Sequence, residues 1–243
     1  MYALLKKEIS GFFSSATGYL VIIIYLLLNS LFLWIFPGYS NVLDNEYASL
    51  QGMFDLAPWL YLFLISAVTM KMFADEKRTG TIELLLIRPI SDFKIIFAKY
   101  LAALSLVIFS LIPSLIYFYS VYLLGDPIGN IDTGGTWGSY IGLFFLAATY
   151  VSIGIFSSSI TNNQIIAFII SVILCFLLYM GFDFISTLNS LSKYEYSITL
   201  LGINEHYNAI SKGVVDTRDL SYFIIVIMVF LSSTKLVLQS RKW

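Results

Sequence analysis

The run IIFAKYLAALSLVIFSLIPSLIYFYSVYLL, Ile95–Leu124, decides the fold class of this chain. Lys99 is the one charged residue in it, and the other side chains are apolar, aromatic or small and hydroxyl-bearing. A helix of about 20 apolar residues crosses the hydrocarbon of a bilayer, so this run is long enough to span a membrane. Pro113 lies inside the run, and we expect it to kink the helix, with Ser110 or a neighbouring helix satisfying the freed carbonyl.

Shorter runs of the same character lie on both sides of this one. Over the whole chain, 58% of the residues are hydrophobic and 12% are charged, whereas soluble domains carry about 25% charged residues. Because every backbone amide in lipid must be hydrogen-bonded within the protein, each run is predicted to be helical. The six predicted spans are Tyr19–Phe36, Pro58–Phe73, Ile95–Leu124, Trp137–Ser159, Gln164–Asp183 and Tyr222–Leu238.

The N-terminal residues 1–17 have a different pattern. They contain the charged run Lys6–Glu8 together with apolar residues at helical spacing, which predicts an amphipathic helix on the membrane surface. The apolar residues are Leu5, Ile9, Phe12, Phe13 and Ala16. The apolar run that follows is too long for a signal peptide and lacks a small-residue cleavage site, so we expect it to be retained as span one. The predicted fold is therefore an all-α membrane protein, with an interfacial helix followed by a six-helix transmembrane domain over residues 18–243.

Basic residues predict the orientation of the chain. With six spans, eleven of the 14 Lys and Arg fall on one side, before span one, around the second connection and at the C-terminus. The first and third connections, residues 37–57 and 125–136, contain no Lys or Arg. Positive charge is retained inside, so both termini and the second connection are predicted to be cytoplasmic, in a cell inner membrane. The net charge of -1 offers no basic field for nucleic acid.

The second connection contains the most informative motif, DEKRTGTIELLLIRP at Asp75–Pro89. Gly80 is expected to break the helix that continues from span two, and Thr79, Gly80 or Thr81 to cap a new short helix over about residues 79–89. Glu83 falls in the first turn of that helix, where the helix dipole favours a carboxylate. Pro89 is expected to end it.

This short helix would carry apolar side chains outside the hydrocarbon, namely Leu84, Leu85, Leu86 and Ile87. Two burial sites are open. The side chains could lie on the lipid interface or pack beneath spans two and three. They could instead fill a groove on a soluble partner, flanked by ionic contacts from Glu76, Lys77, Arg78 and Arg88.

The motif resembles the signature of ABC-2 type transporter permeases, E-x-x-x-G-T-x-E-x-L-L followed by a proline. The matching positions are Glu76, Gly80, Thr81, Glu83, Leu85, Leu86 and Pro89. The resemblance implies a type V exporter-like permease whose coupling helix sits in a cleft of a separate ATPase subunit. It implies an ATPase interface made by Glu76, Lys77, Arg78, Gly80, Thr81, Glu83, Leu84, Leu85, Leu86, Arg88 and Pro89.

Other stretches resemble the same family. They are the N-terminal helix up to Gly18-Tyr19, the tight turn Gly154–Gln164 and the outer segment His206–Leu220. The turn departs from the common pattern because it has no basic residue between Ser157 and Gln164. Within the family, the chain resembles most the gliding-motility-associated permeases of Bacteroidetes (the Gld F subunit), and a copper-related permease of nitrous oxide reductase maturation is a near neighbour.

The resemblance implies partners rather than a catalytic role. The chain has no G-x-x-x-x-G-K-[ST] sequence to cradle ATP phosphates, so ATP hydrolysis is expected on another polypeptide and no cofactor is expected here. Six spans cannot easily enclose a path, so a second permease chain, identical or a companion membrane subunit, is expected to pair with this one. An intramembrane enzyme would need paired carboxylates, a Ser/Lys pair or His/Glu at membrane depth, which the spans do not offer. A non-transporting component of a motility or secretion complex, using the ATPase mechanically, stays open.

Several isolated polar residues lie in the spans or in the connections between them. His206 is the only histidine and has no metal-ligand spacing around it, which favours a structural or interfacial role. The segment of about residues 185–221 is expected to form short helices that dip into the outer leaflet, making Glu205, His206, Tyr207 and Lys212 a possible outer gate. Asp183 is expected at the far interface, and Cys175 to be a buried, inert thiol. Helix-to-helix hydrogen bonds are expected from Asn29, Ser105, Ser110 and Ser171.

Overall fold

A computed structural model describes residues 1–45, 47–86, 90–187 and 193–240, with only the backbone of residues 84–86. All regular structure in these ranges is helical. Six helices are long and apolar enough to cross a membrane: Ala16–Trp34, Gln51–Arg78, Asp92–Leu124, Thr133–Ile160, Gln164–Ser186 and Thr217–Gln239. The predicted all-α fold with six spans is thus confirmed.

The helices, in chain order, are α1 (Tyr2–Phe13), α2 (Ala16–Trp34), α3 (Gln51–Thr69), α4 (Lys71–Arg78), α5 (Thr81–Leu86), α6 (Asp92–Leu124), α7 (Thr133–Ile160), α8 (Gln164–Phe176), α9 (Phe182–Ser186), α10 (Glu195–Thr199), α11 (Ile203–Ser211) and α12 (Thr217–Gln239). A π-helical turn, Leu177–Gly181, joins α8 to α9 within the fifth span. Side-chain oxygens of Asp132, Asn163 and Asp216 cap the N-termini of α7, α8 and α12. At Asp216 the hydrogen bond from the backbone N–H of Arg218 lowers the pKa of the exposed carboxyl.

Helix α7 is the central helix of the molecule. It packs against α3, α6, α8 and α12, and also against α4 and α11. Glycines let two of these partners come close: a Cβ at Gly154 would overlap the Thr69 hydroxyl of α3, and one at Gly138 would lie 2.5 Å from the Ile210 carbonyl of α11. Because α7 is covered on most of its surface, it forms the core on which the other spans assemble.

Two details of the predicted spans differ in the structure. Span two was predicted to start at Pro58, but α3 starts at Gln51, so Pro58 lies inside the helix. Ser110 or a neighbouring helix was expected to satisfy the carbonyl freed by Pro113, which is that of Phe109. The Ser110 hydroxyl instead donates to Val107 O at 2.8 Å and pairs with the Tyr61 hydroxyl at 2.8 Å.

The predicted helix-to-helix hydrogen bonds are confirmed for two serines. Ser171 pairs with Ser66 of α3 at 2.8 Å, and Ser110 pairs with Tyr61 of the same helix. The prediction is wrong for Ser105 and Asn29, which donate to carbonyls of their own helices. Hydroxyl and amide groups can bond the carbonyl three or four residues back, and this local choice competes with a bond to another helix.

The molecule has two ends that differ in charge. We call the end with α1, α4, α5 and the turn 161–163 the basic end, because eight of the eleven Lys and Arg among the described residues belong to it. We call the opposite end the acidic end. It carries the described parts of the connections 35–50 and 125–132 and the α10–α11 segment, and nine of the 14 Asp and Glu among the described residues lie there.

Candidate functional site

The second span leads into an arm at the basic end. We call the segment of α4, the turn at Gly80 and α5 the arm. Helix α3 ends at Thr69, and α4 starts at Lys71 after the single residue Met70. The Ser158 hydroxyl of α7 donates to Met70 O at 2.9 Å and accepts from the N–H groups of Phe73 and Ala74 at 2.9 and 3.0 Å. A buried side chain of the central helix therefore fixes the joint between span and arm.

The arm turns at Gly80, as the sequence predicted. Gly80 has a φ of +71°, in the left-handed region that glycine adopts without a Cβ penalty. The N–H of Thr79 bonds Asp75 O at 2.9 Å and so ends α4. Helix α5 then starts at Thr81, with Glu83 in its first turn. The predicted end of this helix at Arg88 and Pro89 lies outside the described residues.

The predicted interface residues separate into two groups. Arg78, Gly80, Thr81 and Glu83 are exposed at the tip of the basic end, as is the intervening Thr79. Arg78 is held by an ion pair with Asp75 at 2.8 Å, and the Asp75 carboxylate also accepts from Gln164 Nε2 at 2.8 Å. The tip is therefore tied to the turn between spans four and five. The structure describes only the backbone of Leu84, Leu85 and Leu86.

The second group, Glu76 and Lys77, points back into the chain. Lys77 donates to the carbonyl of Ser159 in α7. Glu76 meets Lys99, whose ammonium lies 2.9 Å from Glu76 Oε1 and 3.1 Å from Glu8 Oε1. The Lys99 side chain is 1% exposed and lies 5.2 Å from the centre of the Phe73 ring. Glu76 Oε2 is buried with no hydrogen-bond partner among the described residues.

This buried charge cluster, Lys99 with Glu8 and Glu76, joins α1, α4 and α6. Lys7 lies at its edge, 3.8 and 3.9 Å from the two carboxylates. Sequence analysis used Lys99 only as a sign of orientation and missed the cluster. A signal was present, because a lone charge in a long apolar run must find partners to be buried. The sequence did not show which of the five carboxylates at the basic end those partners would be.

At the acidic end, His206 and Tyr207 of the predicted gate are buried. The His206 ring nitrogens lie 2.7 Å from Asp219 Oδ1 and 2.9 Å from Leu200 O, and its ring stacks on Tyr222 at 3.9 Å. Both nitrogens face acceptors, so the doubly protonated ring satisfies both and a neutral ring satisfies one. The Tyr207 hydroxyl donates to Phe54 O of α3 at 2.8 Å.

Glu205 and Lys212 are instead exposed. They line an open polar cavity of about 550 Å³ together with Gln51, Asp132, Asn208 and Ser211. Asp183, expected at an interface, lies in the first turn of the short α9 near the acidic end and accepts from Asn204 Nδ2 at 2.7 Å. Among the described residues, no group of three His, Cys, Asp or Glu could hold a metal ion.

Six membrane-length helices with a turned arm on the second span define a polytopic membrane protein of the permease type. The family model described as ABC-2 family transporter protein matches residues 40–239, which is most of the chain. The chain belongs to this family and is a transport permease. Permeases of the family in general work with an ATPase partner and in pairs. The matched range includes the arm and α11, whereas α1 and α2 precede it. No curated protein matches the chain.

Proposed function

We propose that this chain is the permease subunit of an ATP-driven transporter, and that its separate ATPase subunit binds the tip of the basic end around α5. The observation that carries the proposal is the arm. Gly80 turns the chain so that α5 and the exposed Arg78, Thr81 and Glu83 project from the end of span two. The chain itself lacks a Walker sequence, so the energy of ATP must enter through a partner.

The charge distribution supports a location and an orientation. The proposed location is the inner membrane, with the basic end in the cytoplasm, where the ATP is. Lys and Arg near membrane spans are retained on the cytoplasmic side, and the connections 37–57 and 125–136 contain neither residue. Both chain termini then lie in the cytoplasm.

Contacts of the arm suggest how movement of the ATPase would reach the membrane. A push on α5 passes into α4, which is held by Ser158 to the central helix α7. The same push acts on Glu76, and through Lys99 on α6 and Glu8 of α1. Spans two, three and four and the surface helix therefore receive the movement through buried polar contacts, which are expected to transmit small displacements because they have little freedom to slide.

Two further parts of the proposal concern the assembly and the pathway. A second permease chain, identical or similar, is expected to complete the path across the membrane, with one ATPase beneath each permease. The N-terminal helix and the segment around His206–Leu220 favour the gliding-motility-associated system as the pathway. There are two alternatives within the same architecture. One is a complex that uses the ATPase mechanically without transport, and the other is a copper-maturation type of transporter.

The ATPase interface is tested by co-purification. Detergent-solubilised, tagged protein should bring down a separate ATPase, and Glu83→Arg or Leu85→Asp should abolish that association. Glu195→Arg is the matched control, because Glu195 is an exposed carboxylate at the acidic end and its reversal should leave the complex intact. If both arm variants keep the ATPase as well as the unmodified protein does, the proposed interface is wrong.

A further inference from the structure

Pro58 leaves a carbonyl of span two without its helical partner. A proline has no N–H, so the carbonyl four residues earlier, that of Phe54, loses its i→i−4 hydrogen bond. The surroundings are dry, since Phe54 and Ala57 are 2% and 0% exposed. An unpaired carbonyl in such a place destabilises the fold, because its hydrogen bond to water is lost and nothing replaces it.

The missing hydrogen bond is supplied from the other end of the sequence. Tyr207 of α11 donates its hydroxyl to Phe54 O at 2.8 Å, and the side chain is 2% exposed. Burial raises the pKa of this hydroxyl well above its ordinary value, so it stays protonated as a donor. The Tyr207 ring also lies against Gly142 of α7, where a Cβ would be 3.3 Å from it.

Span two thus has a defined contact at each end. At the basic end it continues into the arm, and at the acidic end its Phe54 carbonyl holds α11. The first connection has a different anchor, because Val42 N–H bonds Leu33 O at the end of span one. Helix α11 is also held to the sixth span, because His206 of α11 hydrogen-bonds Asp219 of α12.

We infer that Tyr207 is a positioning residue that latches α11 to span two, so that movement entering at the arm is carried to the acidic end of the molecule. The hydrogen bond is a feature of the fold. The movement rests on the proposed function. In this arrangement Glu205 and Lys212, which line the polar cavity beside Gln51, shift with span two. The latch makes the cavity at the acidic end respond to the partner at the basic end.

The hydrogen bond is tested by a double-mutant cycle of thermal unfolding in detergent. Tyr207→Phe should lower Tm by about 2–4 °C, as expected for the loss of one buried hydrogen bond in a chain of this size. Pro58→Ala gives position 58 an N–H that can reach Phe54 O, so in that background Tyr207→Phe should cost less than half as much. Tyr140→Phe is the control, because its hydroxyl donates to Ser114 O and its cost should be equal in both backgrounds. Equal costs for Tyr207→Phe in the two backgrounds would refute the latch.

The movement is tested by spin-label distances in the complex with the ATPase, with ATP and vanadate as the probe. One pair, Asn208→Cys with Leu43→Cys, compares exposed positions on α11 and the first connection; the other, Lys6→Cys with Asn162→Cys, reports on the basic end. The buried Cys175 is replaced by alanine. Nucleotide should change both distances, and Tyr207→Phe should abolish the change on α11 while the basic-end pair still responds.

The outcomes separate the two proposals. If the α11 pair responds equally with Phe at position 207, the latch does not carry movement. If neither pair responds to nucleotide in the protein with Tyr207, the proposed ATP-driven function is contradicted, and the movement with it. The thermal cycle decides about the hydrogen bond in either case.

Discussion

At the scale of single residues, Lys99 has the most demanding environment in the molecule. Its ammonium is 1% exposed and is compensated by Glu8 and Glu76 at hydrogen-bonding distance. Taking charges out of water costs several kcal/mol per ion, and only close pairing offsets the cost. Lys7 remains at the surface, with its side chain 66% exposed, and adds little by comparison. The cluster holds together only while all three groups are present.

We therefore predict that Lys99→Met destabilises the protein by about 3 kcal/mol, because two partly buried carboxylates lose the buried cation that lies between them. Thermal unfolding in detergent measures the effect. Lys94→Met is the matched control, since Lys94 is exposed in the first turn of the same helix. The triple variant Glu8→Gln, Glu76→Gln and Lys99→Met should recover most of the loss. If Lys99→Met and Lys94→Met had the same Tm, the ion cluster would not contribute to the stability of the protein.

The sequence indicated which single residues have a special role, but it did not indicate which residues they contact. Gly80 was identified as a turn because glycine readily adopts a positive φ, and the structure confirms it. The partners of Lys99 could not be found, because Glu8 lies 91 residues away in sequence. The contacts of His206 with Asp219 and Leu200 could not be predicted either, because they depend on how α10, α11 and α12 pack.

At the scale of helices, the contact between α3 and α7 is the closest approach in the core. Gly154 faces Thr69, whose hydroxyl occupies the space that a Cβ would need. Thr69 is itself fixed by donating to Ile65 O at 2.8 Å and is 0% exposed. Small residues at such places allow helices in membranes to pack closely. The joint at Met70 lies next to this contact, so the two helices are held together where the arm starts.

Gly154→Ala should consequently destabilise the protein by about 1–3 kcal/mol through overpacking. Its control is Gly11→Ala in α1, where nothing lies within 4 Å of the added Cβ and a small gain in helix stability is expected. Thermal unfolding of both variants provides the comparison. The packing argument fails if the two alanine variants have the same Tm.

Helix existence was predictable from the sequence, and helix boundaries were less so. The apolar runs predicted all six spans because their length has to match the membrane. Pro58 was placed at the start of span two, where a proline costs no hydrogen bond. The structure starts the helix at Gln51, and this is possible because Tyr207 satisfies the carbonyl that Pro58 frees. The start of span two is therefore linked to a hydrogen bond between two residues that are 153 positions apart in the sequence.

At the scale of the whole molecule, opposite charges are segregated to the two ends. In the part of the chain that the structure describes, eight of the eleven Lys and Arg lie at the basic end, and nine of the 14 Asp and Glu lie at the acidic end. A basic residue near a span resists translocation, whereas acidic residues have little influence. The distribution therefore supports the orientation proposed above, with the arm and α1 inside the cell.

The proposed orientation predicts the labelling of single cysteines in intact cells. In a Cys175→Ala background, Asp126→Cys should react with a membrane-impermeant maleimide, and Thr79→Cys should react only after the membrane is permeabilised. Both positions are exposed, so a difference reports sidedness rather than burial. The unaltered chain serves as control, because Cys175 is buried and should stay unlabelled. The opposite pattern would invert the topology and place the arm away from ATP.

The central position of α7 also has a consequence for how the protein is made. Spans two, three, five and six all contact this helix, yet it is the fourth span to leave the ribosome. Until Thr133–Ile160 has been synthesised, the faces of α3 and α6 that it will cover are exposed to lipid or to the insertion machinery. The nascent chain therefore passes through a stage in which the first three spans contact one another but lack the helix that covers them. We expect biogenesis to be most vulnerable to proteolytic surveillance during that interval, before the fourth span covers these faces.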